Sequence, residues 1–156
     1  MIPLNQDFSD LLSCFLAAEV RFLLVGGYAL AFHGHPRATK DIDFWVEAKP
    51  ANAVRIMRAL VAFGAPTETL SEGDLCDPAT VFQIGVSPRR IDLVCAIDGV
   101  LFDAAWAQRE TFPLEGMRIP VIGLDAMLAN KVATGRTQDL ADAEIIRGLL
   151  AARSKR

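Results

Sequence analysis

The sequence predicts an α/β domain of the α+β kind, in which helices flank a small mixed β-sheet. Three observations support it. Short apolar runs at 22–25, 41–46, 80–86 and 89–95 have strand composition. Longer runs at 8–19 and 52–63 carry apolar residues at helical spacing. Turn formers separate these runs, among them Gly26-Gly27, Gly34 with Pro36, Gly64 and Ser87-Pro88. A chain of 156 residues can bury a substantial core as one domain over 1–156, with a core at 20–96 and a C-terminal helical part at 123–152.

The first helix, 8–19, places Phe8, Leu11, Leu12, Phe15 and Leu16 on one side. Phe22–Val25 follows as an apolar strand, Gly26-Gly27 lets the backbone turn sharply, and 28–33 has the composition of a short helix. Gly34 stops that helix, with Pro36 just beyond. The run at 41–46 is a second strand, on which Asp41 and Asp43 are i and i+2 and share a face. Val54, Met57, Leu60 and Val61 recur at helical spacing in 52–63, which Gly64 ends. Residues 68–78 form a polar loop that can line a site, and 80–95 reads as a hairpin turning at Ser87-Pro88. Residues 118–121, after Gly116, add an edge strand. Helical composition at 125–134 ends at Gly135, and a further helix follows with Thr137 as its N-cap.

Chemistry concentrates in residues 23–47. Two carboxylates forced onto one strand face either raise one another's pKa or recruit a divalent metal. Amides of a glycine turn at a helix N-terminus can bind phosphate oxygens. A strand, a Gly-Gly turn and a second strand beginning Asp41-Ile42-Asp43 therefore suit a nucleoside triphosphate carrying magnesium.

The order hydrophobic-Gly26-Gly27, thirteen residues, then Asp41-hydrophobic-Asp43-hydrophobic resembles the signature of the polymerase-beta-like nucleotidyltransferase superfamily. That resemblance implies the nucleotidyltransferase fold and a third carboxylate from a later strand. Asp92 fits, as the acid of an alternating strand in which Arg90, Asp92 and Val94 share one face. The plainer reading of Asp92 is a solvent-facing residue paired with a nearby arginine.

Near the C-terminus, Lys131, Arg136, Asp139 and Asp142 occupy the places of a second motif. It is similar to that of minimal stand-alone nucleotidyltransferases, including toxins of bacterial toxin–antitoxin and phage-defence systems. Gln138 departs from it, standing where that family usually has a basic residue. Asp139 also has a structural explanation, since a negative charge in a first helical turn is favoured by the helix dipole. Asp139 and Asp142 share a face and can instead orient Lys131 or Arg136 toward a triphosphate.

The resemblance implies that NMP passes from an NTP, ATP among them, to an acceptor hydroxyl, with two magnesium ions at the entering and leaving oxygens. Asp41, Asp43 and Asp92 would be the metal ligands, and with Lys131 the catalytic set. Gly26, Gly27, Lys40, Arg136 and Asp139 would bind the nucleotide. Arg37 and Thr39, on the loop before the aspartates, can also reach phosphate, although ordinary loop polarity explains them and Lys40 slightly better. The acceptor stays open among RNA such as tRNA, a protein and a small molecule; an antitoxin protein is an expected partner. The rival is a catalytically silent binding module of the same fold, such as an antitoxin or regulatory subunit. Retention of three acids speaks against it, and Gln138 speaks faintly for it.

Composition narrows the alternatives. A net charge of −3 argues against a long electrostatic track for nucleic acid. Arg89-Arg90 and Arg153-Ser154-Lys155-Arg156 are the basic clusters, and neither is interleaved with stacking aromatics. An apolar share of 52% suggests buried strands and an apolar patch for a partner. Glu19 and Arg21 interrupt the apolar region at 11–32, so no membrane span is expected. With no signal-like segment, and with Cys14, Cys76 and Cys95 at neither metal nor disulfide spacing, a cytoplasmic location is expected. His33 and His35 flank a helix-ending turn with no third ligand nearby. Trp45 shares the strand face of Asp41 and Asp43, where it either borders a base pocket or is core. P-loop, dinucleotide and zinc-finger patterns are missing.

Overall fold

The structure is a computed structural model that describes residues 4–38 and 40–155. Helix α1, Gln6–Ala17, starts where the Asn5 side chain accepts a hydrogen bond from the Phe8 amide. It is followed by β1 (Phe22–Val25), α2 (Gly26–Phe32), β2 (Ile42–Val46) and α3 (Pro50–Phe63). A short 3₁₀ turn at Asp74–Cys76 leads to the hairpin β3 (Val81–Ile84) and β4 (Ile91–Val94). Helix α4 (Phe102–Ala107), the hairpin β5 (Glu110–Leu114) and β6 (Met117–Val121), then α5 (Leu124–Thr134) and α6 (Thr137–Ser154) complete the order. The expected mixed α/β architecture is present.

The six strands form one sheet in the order β3-β4-β2-β1-β6-β5. β1 runs antiparallel to β2 and parallel to β6, while β2 and β4 are parallel. Strand parity divides the central strands cleanly. Phe22, Phe44 and Phe15 of α1 meet on one face with ring centroids 5.2–5.6 Å apart. The opposite face of β2 carries Asp43 and Trp45. The core is thus laid on one side of β2, and the acids stand on the other.

Asn52 ties the strand ends together. Its side chain, 1% exposed, accepts from the Arg21 amide at 2.8 Å. It donates to the carbonyls of Arg21 and Glu47 at 3.0 and 2.9 Å. The start of β1 and the end of β2 are held in register by one satisfied amide.

Several expectations change. The core side of α3 is Ala53, Ile56, Ala59 and Leu60, whereas Val54 and Val61 are exposed. Small alanines let α3 pack closely on α1, so side-chain size mattered as much as apolarity. Residues 118–121 are not an edge: β6 lies between β1 and β5, and Leu24 faces Val121. Arg136 is the N-cap residue of α6, and Thr137 is already helical. Asp41 sits one residue before β2. Among the described residues no helix is long and apolar enough to cross a membrane.

Candidate active site

Val25 ends β1 directly opposite Asp43, and Gly26 begins α2 with φ +74°. A side chain strains that backbone, and a Cβ there would lie 2.4 Å from Asp43 Oδ2. Gly26 is therefore required twice, once by the turn and once by the carboxylate it lets approach. Gly27 follows in the first turn of α2.

Asp43 faces Asp92 across the parallel β2–β4 pair. Burial, the neighbouring Asp92 charge, a hydrogen bond with Asp92, and Asp41 together push the Asp43 carboxyl up to about 6. Asp92 is 8% exposed and held by Arg90, whose Nε and Nη2 donate to its two oxygens at 2.8 and 3.2 Å. Asp41 accepts from Ser87 Oγ at 2.7 Å and from the Arg90 amide at 3.0 Å, and Arg90 Nη2 lies 3.6 Å from it. The Ser87 hydrogen bond leads the effects that hold Asp41 below the usual carboxylate range, with Arg90 and the exposed Lys40 adding to it. The β3–β4 hairpin thus delivers Asp92, Arg90 and Ser87 to the mouth of β2.

The C-terminal residues form a second constellation. Lys131 on α5 lies 3.5 Å from Asp139 and 3.4 Å from Asp142, both 4% exposed on α6. Arg136 Nε donates to Asp139 at 2.7 Å, while the guanidinium stays largely exposed. Arg37 donates to Asp142 at 2.7 Å, linking α6 to the loop that enters β2. Gln138 Nε2 also donates to Asp142, at 3.1 Å, so the departing residue retains a hydrogen bond without the charge. The Arg136 hydrogen bond holds Asp139 below its ordinary pKa. Burial pushes Asp142 upward, but Arg37 and Lys131 outweigh it and bring it below the ordinary value. Thr39 and Arg156 lie outside the described residues.

Arg90 and Ser87 were not singled out from sequence as site residues. Arg90 was signalled by sharing the strand face of Asp92; the Ser87 contact crosses 46 positions and left no local trace. His33 is buried where α2 ends. Its Nε2 is 2.7 Å from the Ile122 carbonyl, which accepts only from an N–H, so Nε2 carries the proton. Burial leads the effects that lower its pKa. The ring packs edge-on against Phe112 of β5, with Arg153 and Glu110 at 3.3 and 3.6 Å from its Nδ1. Trp45 is core, 1% exposed, with its ring 5.1 Å from Phe102.

No group of three His, Cys, Asp or Glu side chains forms a metal cage among the described residues. The pair Asp43 and Asp92 still fits a divalent cation. Two carboxylates share a hydrogen bond there, and one is pushed toward neutrality, the condition a dication relieves.

No protein-family model and no curated protein matches the chain. Solved structures do. The structure of a lincosamide antibiotic adenylyltransferase, LnuA, with lincomycin bound, superposes with a TM-score of 0.58 at 14% identity. The match covers 94% of this chain and 98% of that one. A candidate nucleotidyltransferase from Thermotoga maritima matches at 16% identity and a TM-score of 0.54, over 99% of this chain and 97% of that one. At such identities the likeness shows the fold. The chain shares the overall fold of these proteins and is a nucleotidyltransferase-fold protein.

Proposed function

We propose that the chain is a magnesium-dependent nucleotidyltransferase that moves NMP from an NTP to an acceptor hydroxyl. One observation carries this reading. Asp43 and Asp92 stand side by side on parallel strands, against a glycine that has no side chain where Asp43 needs room. An excess of negative charge beside the half-buried glycines that open α2 suits a triphosphate bound with a cation.

In the reaction the acceptor oxygen attacks the α-phosphorus, the bond to the bridging oxygen breaks, and pyrophosphate leaves. The hydroxyl proton passes to the Asp43–Asp92 pair. Magnesium, when bound, supplies positive charge at the entering and leaving oxygens. Asp41, Asp43 and Asp92 would hold it, with Arg90 yielding Asp92. The amides of Gly26 and Gly27 hold phosphate oxygens, and Lys40 adds charge from the loop. Asp139 and Asp142 fix Lys131, which with Arg136 neutralises the triphosphate.

The adenylyltransferase described for one structural neighbour supports ATP as donor and a small molecule as acceptor. The toxin-like subtype, with tRNA as acceptor and an antitoxin as partner, rests on the order Lys131, Arg136, Asp139 and Asp142 alone. The rival, a silent binding module, draws support from Arg90, whose two hydrogen bonds already occupy Asp92.

The test is transfer of label from each of the four NTPs, marked at the α- or the γ-phosphate, into fractionated RNA, protein and small metabolites. The active reading expects magnesium-dependent transfer of α-label but not γ-label, abolished in Asp43→Asn. Folded protein that transfers no label in any fraction would favour the silent module.

A further inference from the structure

Further along β2 from the acids, and lined by none of them, lies a cavity of about 530 Å³ that the reaction scheme does not use. Trp45 forms part of its wall, with Phe102 of α4 against that ring and Trp106 stacked on Phe102 at 5.7 Å. Leu101, at the start of α4, also lines it and is 80% exposed. Trp45 Nε1 is buried and has no hydrogen-bond partner, which among the described residues marks it out from every other buried side-chain nitrogen and oxygen. Such a cavity is of small-ligand size.

Its position follows from the register. Trp45 is two residues beyond Asp43 on the same face of β2, about 6.7 Å along the strand. Val94 pairs with Trp45 as Asp92 pairs with Asp43, so the cavity opens one pleat beyond the two acids. Gly26-Gly27 lies in the other direction, because antiparallel β1 ends beside Asp43 and begins beside Val46. The acids thus separate the phosphate-binding turn from the cavity. An in-line displacement needs the leaving pyrophosphate and the attacking oxygen on opposite sides of the α-phosphorus.

Resting on the nucleotidyltransferase reading, the geometry points to this cavity as the acceptor site, built for a small hydroxyl-bearing molecule with an apolar ring and no net charge. The lining sets the charge preference. Lys49 lies 3.9 and 3.4 Å from Glu47 and Asp103, and Arg21 lies 3.5 Å from Glu47, so two carboxylates are met by two cations and no charge is left over. A polyanion such as RNA finds no excess positive charge there. The aromatic and aliphatic walls cover the apolar part, and a ligand oxygen can accept from Trp45 Nε1 after a small shift of the ring.

The test uses three matched probes, phenyl β-D-glucoside, the cationic phenyl β-D-glucosaminide and the anionic phenyl β-D-glucuronide, titrated by ligand-observed NMR. The second protein is Ala104→Trp, which places a large ring at an exposed lining position of the cavity without disturbing the core. The glucoside is expected to bind wild type at least tenfold tighter than the glucosaminide and the glucuronide, and Ala104→Trp to lose it. Its Kd for ATP with magnesium should stay within twofold of wild type. Absence of glucoside binding, preference for either charged probe, or binding unchanged in Ala104→Trp would each overturn the proposal. Loss of ATP binding in Ala104→Trp would overturn it too, assigning the cavity to the base. If wild type binds no NTP while the glycosides bind, the nucleotidyltransferase reading fails instead and takes the acceptor role with it.

Discussion

Two clusters of aspartates in this molecule behave oppositely. At the sheet, Asp43 is driven up to about 6 by burial and by its acidic neighbours. On α6, Asp139 and Asp142, each 4% exposed, lie below their ordinary values, because Arg136, Lys131 and Arg37 reach them. The residue type is the same and the surroundings decide. Three cations satisfy two acids in the C-terminal cluster, whereas Asp41 and Asp92 share Arg90 and Asp43 gains little from it. A cluster that completes its own charge holds its cations in place; one that lacks positive charge leaves room for a ligand to supply it.

The contrast breaks most sharply at Asp43. Asp43→Asn should lower label transfer by about a thousandfold or more, since it removes a ligand and charge at the reacting centre. The same variant should gain stability at high pH. The native carboxyl titrates near 6 against an ordinary 3.8, so the native state binds the proton more tightly than the unfolded chain. Its favourable contribution is present below 3.8 and is lost as pH rises through 6. Asparagine escapes that loss, and urea titrations should find it about 2–3 kcal/mol more stable than wild type at pH 8 relative to pH 3.5. An unchanged difference between the two pH values would contradict the electrostatic account.

Lys131 probes the other side. Lys131→Met leaves Asp139 and Asp142 without their shared cation and should cost about 2–3 kcal/mol of stability, measured by denaturant unfolding. Lys131→Arg should recover most of that stability. If the methionine variant were as stable as wild type, the C-terminal cluster would not be self-completing.

Gly26→Ala should cost about 2 kcal/mol in the same measurement, from the left-handed backbone and from displacement of Asp43. Nucleotide binding should weaken with it. The smallest effect is expected at Gln138. Because the amide already donates to Asp142, Gln138→Lys should change stability by less than about 0.5 kcal/mol. A larger gain would show that the C-terminal cluster lacks charge after all.

Much of this contrast was legible in the sequence where local geometry dictates it. Gly26-Gly27 required an unusual turn, and parity placed Asp43 on one face of β2 and Asp92 on one face of β4. Other features had no local signal. β5 had no clear strand signal because Pro113 interrupts its run, a residue that strands carry mainly at sheet edges. The face of α3 was misjudged because Ala53 and Ala59 pack where larger residues were expected. Arg37 meets Asp142 across 105 positions, a contact that only the assembled sheet and α6 create. The acids were readable; which of them had already found a cation was not.

The most direct test of the central claim is calorimetric titration of ATP, GTP, CTP and UTP, with and without magnesium, into wild type and Asp43→Asn. The account predicts magnesium-dependent binding of at least one nucleotide by wild type and its loss in the folded variant. Equal binding by both proteins, or binding of none of the four by wild type, would contradict it.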